Sequence, residues 1–301
     1  MYKYADIVVT YNRCALLKEN IEALLNQTWQ EHDIFIIDNA STDSTKELVF
    51  SFKDERIHYY NTGKNLGGAG GFAYGLEKVI VQGYEFAWIM DDDSIANKDA
   101  LQSLIEKGRA IRNNFSFLAS LVYWTDGKVF PMNVPLANWS NVVDMDYDMM
   151  KNHKLVHIKD ASFVGCFVNL SVAKNEGLPI SEFFIYGDDL EYTLRLGKIK
   201  EAYLDLDSNI IHKAPSNIGA DVVTAGADRI NRFYYQSRNG MYIARKEKAV
   251  LKRLFLIAKR IVKVLLFSSD NRTKRVWTLS MGTVSGVFFN PKLKFVKGKV
   301  Q

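Results

Sequence analysis

The chain has 301 residues, of which 48% are hydrophobic and 24% charged, and its formal net charge is +5. This composition is ordinary for a folded globular protein and excludes a disulfide-stapled chain, because only Cys14 and Cys166 occur. No run reaches the roughly 18 apolar residues of a membrane-spanning helix, and no secretory signal pattern opens the chain. These features predict a cytoplasmic protein.

The first 95 residues alternate between short apolar runs, which predict buried strands, and segments with helical spacing. Strands are predicted at residues 7–10, 34–37, 57–60 and 86–90, with a helix after each of the first three. Such alternation predicts an α/β fold with a mainly parallel sheet flanked by helices. Ligands bind such sheets beyond the carboxyl ends of the strands. All four predicted strands end in polar residues, so we expect a site at that edge.

Three consecutive aspartates, Asp91, Asp92 and Asp93, end the fourth predicted strand. Adjacent carboxylates repel one another and raise each other's pKa unless a cation lies among them. Mg²⁺ or Mn²⁺ relieves that repulsion when it is held by one or two carboxylates and by phosphate oxygens. The alternative is a solvated acidic turn that caps a helix starting near Asn97.

The segment from Asn65 to Gly75 is rich in glycine and leads into the third predicted helix. Without side chains, the first N–H groups of such a helix can approach an anion or a sugar. Residues 68–73 also match the dinucleotide fingerprint G-x-G-x-x-A, which would indicate an oxidoreductase. That fingerprint belongs to the first strand–helix turn of its fold. Two complete strand–helix units precede these glycines, so the oxidoreductase class is disfavoured.

The remainder of the first 225 residues is less regular. Strands are predicted at 117–124, 128–132, 163–170 and 202–211. Residues 134–157 are loop-rich and are a candidate acceptor-binding loop. Ser171 is expected to cap a short helix that Gly177 ends.

A pair of carboxylates, Asp188 and Asp189, stands at the start of another predicted helix. Adjacent carboxylates have pKa values pushed apart, so one can stay ionised as a base while the other orients a hydroxyl. The alternative is that they only complement the helix dipole. Glu191 and Arg195 lie four residues apart on this helix and are expected to pair. His212 ends the last predicted strand.

Residues 8–13, 38–43 and 91–93, in this order and each at a predicted strand end, resemble the nucleotide and metal motifs of family-2 inverting glycosyltransferases with the GT-A fold. Asp188-Asp189 resembles the later acidic motif of that family, and residues 65–72 are similar to its bacterial galactofuranosyltransferase branch. The resemblance implies a GT-A-like (Rossmann-like) catalytic domain over residues 1–225. Its nucleotide-sugar half would cover about 1–95 and its acceptor half about 96–225.

The resemblance also implies roles for single residues. The donor would be bound by Thr10, Tyr11, Arg13, Asp38, Asn65, Gly67, Gly68, Asp91 and Asp92. In that set Arg13 would fork onto phosphate and Asp38 would accept a hydrogen bond from a uracil N–H. The metal, Mn²⁺ or Mg²⁺, would be held by Asp93, Asp91 and His212. Asp189 would be the catalytic base and Asp188 its partner in orienting the acceptor.

The activity implied by the resemblance is transfer of galactofuranose from UDP-galactofuranose, with inversion, to a lipid-linked saccharide of a surface polysaccharide. A rhamnosyltransferase that uses a dTDP-rhamnose donor is the nearest alternative. A non-catalytic nucleotide-sugar binding module is the alternative of another class.

The C-terminal region, residues 226–301, carries the excess of positive charge. At about 100° per residue, the basic side chains of segment 246–267 gather on one arc and the apolar ones occupy the rest. This pattern predicts a helical, basic amphipathic region that associates peripherally with an anionic membrane surface, on the inner face of the cell membrane. The alternative packs its apolar face on the catalytic domain. No nucleic-acid recognition motif accompanies the charge, so no nucleic-acid partner is expected. An oligomer is compatible with the sequence.

Overall fold

The computed structural model describes residues 3–138 and 143–296, with the backbone alone for residues 143–146. Its strands, in chain order, are β1 (Tyr4–Thr10), β2 (Asp33–Asp38), β3 (Ile57–Asn61), β4 (Phe86–Asp91), β5 (Ser94–Ala96), β6 (Phe117–Trp124), β7 (Leu155–His157), β8 (Val164–Asn169) and β9 (Ala202–His212). Its helices are α1 (Cys14–Leu25), α2 (Thr45–Ser51), α3 (Gly67–Val81), α4 (Ala100–Ala110), α5 (Val143–His153), α6 (Leu170–Glu176), α7 (Asp188–Leu196), α8 (Arg232–Lys246), α9 (Val250–Phe267) and α10 (Arg272–Phe288).

These strands form one sheet in the order β3-β2-β1-β4-β8-β6-β9-β5, and β7 also pairs with β9. The ladders among β3, β2, β1 and β4 are parallel, as is the ladder between β6 and β9. Strand β8 runs antiparallel to both of its neighbours, β4 and β6. The carboxyl ends of β1, β2, β3, β4, β6 and β9 therefore share one edge, which confirms the predicted α/β class with a mainly parallel sheet.

The sheet is covered on both faces, because successive strand residues point to opposite sides. On one face Ile7 and Ile37 pack beneath α3, whose Gly75 lies so close that a Cβ there would be 2.5 Å from Ile7 Cγ2. On the other face Trp88 is fully buried among residues of α1 and α4. Backbone positions along the polar edge are therefore fixed by core packing beneath them.

Three local predictions were wrong. Residues 128–132 were predicted to form a strand, but only Val129 makes a bridge, with Tyr123, and a 3-10 turn follows at Pro131–Asn133. A longer ladder is prevented because a proline has no N–H to donate. The loop-rich region 134–157 contains α5 and β7, and its residues 139–142 lie outside the described residues. Helix α6 is capped by Asn169, whose Oδ1 accepts from Ser171 N at 3.1 Å.

The C-terminal helices α8, α9 and α10 pack on one another and on the chain that precedes them. Val222, Phe233, Val264 and Leu279 form their shared buried cluster. Helices α8 and α10 touch backbone to backbone, since a Cβ on Gly286 would lie 2.4 Å from the carbonyl oxygen of Arg238. Among the helices described, none combines the length and the apolar character needed to cross a bilayer.

Candidate active site

The aspartate triplet at the end of β4 is largely buried, with Asp92 and Asp93 each 3% exposed. A solvated acidic turn is therefore excluded. Thr10 Oγ1 donates to Asp92 at 2.8 Å. The Arg13 guanidinium lies between the carboxylates, with one nitrogen 3.2 Å from Asp92 and 2.6 Å from Asp93. Arg13 thus relieves part of the repulsion among the carboxylates, and its expected bond to a phosphate stays a prediction.

Burial and mutual repulsion separate the acidities of the three carboxyls. Burial and the charges of Asp93 and Asp92 raise the pKa of Asp91 well above its usual range. Burial also raises the pKa of Asp92 to about 6, against the opposing effects of Arg13 and Thr10. For Asp93, burial is outweighed by His212 and Arg13, so its pKa is lowered. Asp93 is consequently the most acidic of the three and the strongest candidate metal ligand.

His212, at the end of β9, faces Asp93 across a short gap. Its Nε2 lies 3.2 Å from Asp93 Oδ1, without hydrogen-bond geometry, and that buried oxygen has no hydrogen-bond partner among the described residues. His212 Nδ1 lies 2.9 Å from Asn133 Oδ1, which fixes Nδ1 as the donor. A protonated Nε2 pairs with Asp93, which is how His212 lowers the pKa of that carboxyl; when Nε2 gives up this proton, its lone pair points towards Asp93. A nitrogen and a carboxylate oxygen with free lone pairs are suitable ligands for a divalent cation.

The predicted third ligand, Asp91, is not gathered with this pair. No cluster of three or more His, Cys, Asp or Glu side chains with metal-binding geometry occurs within residues 3–138 and 143–296. Mg²⁺ and Mn²⁺ commonly take only one or two protein carboxylates and complete their coordination with phosphate oxygens and water. The residues present therefore fit a metal that arrives with a diphosphate better than a resident metal.

The loops after β1 and β2 are tied together by side-chain hydrogen bonds. Thr42 N donates to Asn12 Oδ1 at 2.7 Å, and Cys14 N donates to Asp43 Oδ2 at 3.2 Å. Asp38 is buried at the end of β2, where its Oδ1 accepts from Ser41 N at 2.8 Å. Its Oδ2 accepts from the Tyr59 hydroxyl at 2.6 Å. Asp38 thus organises the turn at this strand end.

The glycine turn, residues 65–69, lies on the same edge. Gly67 N donates to Asn65 Oδ1 at 2.8 Å, and Gly67 adopts a φ of +71°, which favours glycine. A Cβ on Gly67 would lie 2.1 Å from the carbonyl oxygen of Phe184, whereas a Cβ on Gly68 would meet nothing within 4 Å. Only Gly68 is therefore free of a packing role, and it is the glycine best placed to admit a ligand.

The carboxylate pair begins α7 directly after the segment that touches the glycine turn. Asp188 is buried and Asp189 is partly exposed. Burial raises the pKa of both, and the charge of Asp189 raises that of Asp188 further. The charge of Asp188 also raises the pKa of Asp91, so Asp188 lies within electrostatic reach of the triplet, whereas the charge of Asp160 acts on Asp189. The predicted ion pair of this helix is confirmed, with Arg195 Nε 2.9 Å from a Glu191 oxygen.

The structure thus brings Thr10, Arg13, the triplet, the glycine turn, Asp188, Asp189 and His212 to one edge of the sheet. Sequence reasoning missed Asn133, which orients His212, and Phe184, which seats the glycine turn. Neither residue has a local signal, because each acts through a partner more than 75 positions away.

Comparison with solved structures identifies the fold that carries these residues. The solved structure of residues 1–349 of Staphylococcus aureus TarS in complex with UDP matches with a TM-score of 0.55 and 16% identity, over 94% of this chain and 90% of that one. The likeness shows the fold alone, which is the GT-A, Rossmann-like α/β fold.

The family follows from the sequence comparisons. The model for glycosyl transferase family 2 matches residues 7–169, more than half of the chain, and the chain belongs to that family. The galactofuranosyltransferase GlfT1 of Mycolicibacterium smegmatis is 26% identical over 197 residues, which cover 63% of this chain and 64% of that protein. A Campylobacter jejuni GalNAc(5)-diNAcBac-PP-undecaprenol beta-1,3-glucosyltransferase is 34% identical over 110 residues, 36% of this chain and 35% of that protein. The alignments thus span less than two thirds of either relative.

Proposed function

We propose that the chain is a metal-dependent, inverting glycosyltransferase that moves galactofuranose from UDP-galactofuranose to a lipid-linked saccharide in surface polysaccharide synthesis. The observation that carries the proposal is the unpartnered buried oxygen of Asp93 facing His212 Nε2, on the edge that also bears Asp189. A divalent cation bound there with the donor would supply positive charge for the departing diphosphate.

The chain's own residues would perform the proton transfer. We place the acceptor hydroxyl at Asp189, which lies in the first turn of α7 and is partly exposed as a residue. As the ionised member of the pair it takes the hydroxyl proton while that oxygen attacks the anomeric carbon in line with the leaving diphosphate. Asp188, buried and less acidic, keeps its proton and orients the acceptor. Such a base has no use in a pure binding module.

Support for the donor and the acceptor comes from the relatives. The name of the mycobacterial relative specifies galactofuranosyl transfer, and residues 65–72 carry the motif that resembles that branch. The name of the Campylobacter relative specifies an acceptor linked to undecaprenol through a diphosphate. Transfer of rhamnose from a dTDP donor is the competing outcome of the donor test.

The test is release of nucleotide from a panel of donors. The protein is incubated with Mn²⁺, a polyprenyl-diphosphate-linked saccharide, and either UDP-galactofuranose or dTDP-rhamnose, and the free nucleoside diphosphate is measured. Asp189→Asn should lower kcat by at least about 100-fold, whereas Glu182→Gln, an exposed acid of the preceding segment, should leave it unchanged. Unchanged turnover in Asp189→Asn contradicts the base assignment. Absence of turnover with every donor favours the binding module.

We further propose that α9 and α10 hold the protein on the anionic inner surface of the cell membrane. Large apolar side chains of both helices are exposed, including Leu251 at 83% and Phe288 at 80%. On α9 these side chains lie beside Lys252, Lys259 and Lys263, which are exposed as well. Two arginines of the predicted basic arc, Arg253 and Arg260, instead bond to Gln236 of α8. An apolar stripe edged by lysines suits the interface of an anionic leaflet.

Vesicle cosedimentation tests this surface with a matched pair of phenylalanines. Phe255 on α9 is 61% exposed and Phe50 on α2 is 60% exposed. Phe255→Ser should weaken binding to phosphatidylglycerol-containing vesicles about 10-fold, since burying such a side chain stabilises by about 1.5–3 kcal/mol. Phe50→Ser should bind like the wild type. Equal effects of the two substitutions, or equal binding to neutral phosphatidylcholine vesicles, would contradict the proposal.

A further inference from the structure

The segment that connects the glycine turn to Asp188 has an unusual backbone. Phe184 adopts φ +63° and ψ −56°, and Ile185 N donates to the carbonyl of Phe183 at 2.7 Å. This is the positive-φ form of the γ-turn, which is rare and strained. Tyr186 follows with φ +68° and Gly187 with φ +81°. Backbone of this kind persists only where the surroundings determine it from several directions.

One side chain bonds to several carbonyl groups of this segment. Asn239, in the middle of α8, is fully buried. Its Nδ2 lies 3.0 Å from the carbonyl oxygen of Phe183, 3.1 Å from that of Ile185 and 2.8 Å from that of Tyr186. Its Oδ1 accepts from Arg238 Nε at 3.0 Å, so the orientation of the amide is fixed. A single amide nitrogen thus lies within hydrogen-bond distance of three carbonyl oxygens of the strained segment.

The segment in turn seats two parts of the candidate active site. The carbonyl of Phe184 accepts from Ala69 N at 3.3 Å and lies against the Cα of Gly67, where a side chain would clash. Gly187 is the N-cap of α7, so the direction in which Asp189 leaves the backbone follows from the turn. Among the described residues the Asn239 side chain bonds to neither the glycine turn nor the Asp188-Asp189 pair, and it acts on both through residues 183–187.

We infer that Asn239 is a positioning residue for the transfer reaction. It holds residues 183–187 so that the Asp188-Asp189 pair and the glycine turn keep their relative placement. The inference rests on the proposed function, with Asp189 as the base. A displacement of about 1 Å between reacting groups lowers rates by roughly 100-fold, whereas binding through distant groups is retained.

The substitution that isolates this role is Asn239→Asp. It keeps size and shape but turns a carboxylate oxygen towards three carbonyl oxygens, which cannot donate to it. The matched control is Asn231→Asp, the same substitution at the exposed N-cap of the same helix, where no side-chain cap bond is made. Leu104→Ala, in the buried core under α4, provides a variant destabilised at a distance from the segment.

Three measurements are compared below the unfolding temperature of every variant: kcat, the KM for the donor, and amide hydrogen exchange in residues 67–69 and 184–190. Asn239→Asp should lower kcat about 100-fold, change the donor KM less than about threefold, and speed exchange in both segments. Asn231→Asp and Leu104→Ala should retain kcat and the slow exchange of those segments.

A kcat of Asn239→Asp within about threefold of the wild type, or a loss of rate no larger than that of Leu104→Ala, would overturn the inference. If the wild type transfers no sugar from any donor, the proposed function fails by itself. The exchange data then decide the inference, because unchanged protection of residues 184–190 in Asn239→Asp would show that the amide does not hold the segment.

Discussion

Gly67 and Gly68 are neighbours for which alanine substitution should have opposite consequences. At Gly67 the backbone has φ +71° and a Cβ would lie 2.1 Å from the carbonyl oxygen of Phe184. At Gly68 the backbone is not left-handed and a Cβ would meet open space. Both substitutions add one methyl group, so the comparison isolates the role of each position.

The magnitudes follow from the local geometry. A left-handed backbone costs a non-glycine residue about 1–2 kcal/mol, and forced overpacking costs about 1–3 kcal/mol. Gly67→Ala should therefore lower the free energy of unfolding by about 2–5 kcal/mol. Gly68→Ala lowers the conformational entropy of the unfolded chain without straining the folded one, so it should be neutral or stabilising by up to about 1 kcal/mol. Because the methyl group would then obstruct the donor, the KM for the donor should rise about 10-fold.

Urea unfolding followed by circular dichroism measures the first effect, and initial rates against donor concentration measure the second. The reasoning is refuted if Gly67→Ala is as stable as the wild type, since the turn would then not press on Phe184. It is also refuted for the donor site if Gly68→Ala retains both its stability and the wild-type KM.

Three further predictions concern polar side chains. Burial lowers the pKa of His32, but the Asp6 carboxylate 2.6 Å away outweighs burial and raises that pKa above 6.5. The stability that this pair contributes is therefore complete below pH 6.5 and is lost as the pH rises through the folded-state pKa of His32. Urea unfolding across that range should show the loss, and His32→Gln should diminish it. Asn133→Ala should raise the Mn²⁺ concentration needed for half-maximal activity about 10- to 100-fold, because His212 loses the group that orients it. The control Asn138→Ala removes the contact of another asparagine with a histidine and should leave that Mn²⁺ concentration unchanged. Burial raises the pKa of Asp189, so kcat should fall with decreasing pH through a midpoint above 3.8, the ordinary value for an aspartate; a midpoint at or below it would contradict the assignment of Asp189 as the base.

The fold was largely predictable because the pattern that determines it is local. Runs such as Ile34–Ile37 and Phe86–Met90 are apolar without interruption, as expected of strands covered on both faces. The polar residues after those strands had to meet at one edge once the strands ran parallel. Family membership was also predictable, since its motifs are short and each lies at a strand end.

What the sequence did not reveal depends on contacts between distant segments. The contacts of Arg13 with Asp92 and Asp93 follow from the placement of β1 beside β4, which no local pattern reveals. The strand predicted at residues 128–132 failed because Pro131 blocks pairing, a signal that the sequence does contain. The roles of Asn133 and Asn239 leave no local pattern, because an asparagine within a helix or turn is usually solvated.

The backbone contact between α8 and α10 bears on where the catalytic unit ends. Every residue predicted for donor, metal and base lies before residue 225, which invites a shortened protein for biochemical work. Cutting there would remove Asn239, and the carbonyl groups of Phe183, Ile185 and Tyr186 would lose both their donor and the helix that packs against them. Ending the chain after α8 would remove α10, whose Gly286 packs against the Arg238 carbonyl of α8. The smallest portion able to turn over substrate should therefore include the helices for which we propose membrane binding.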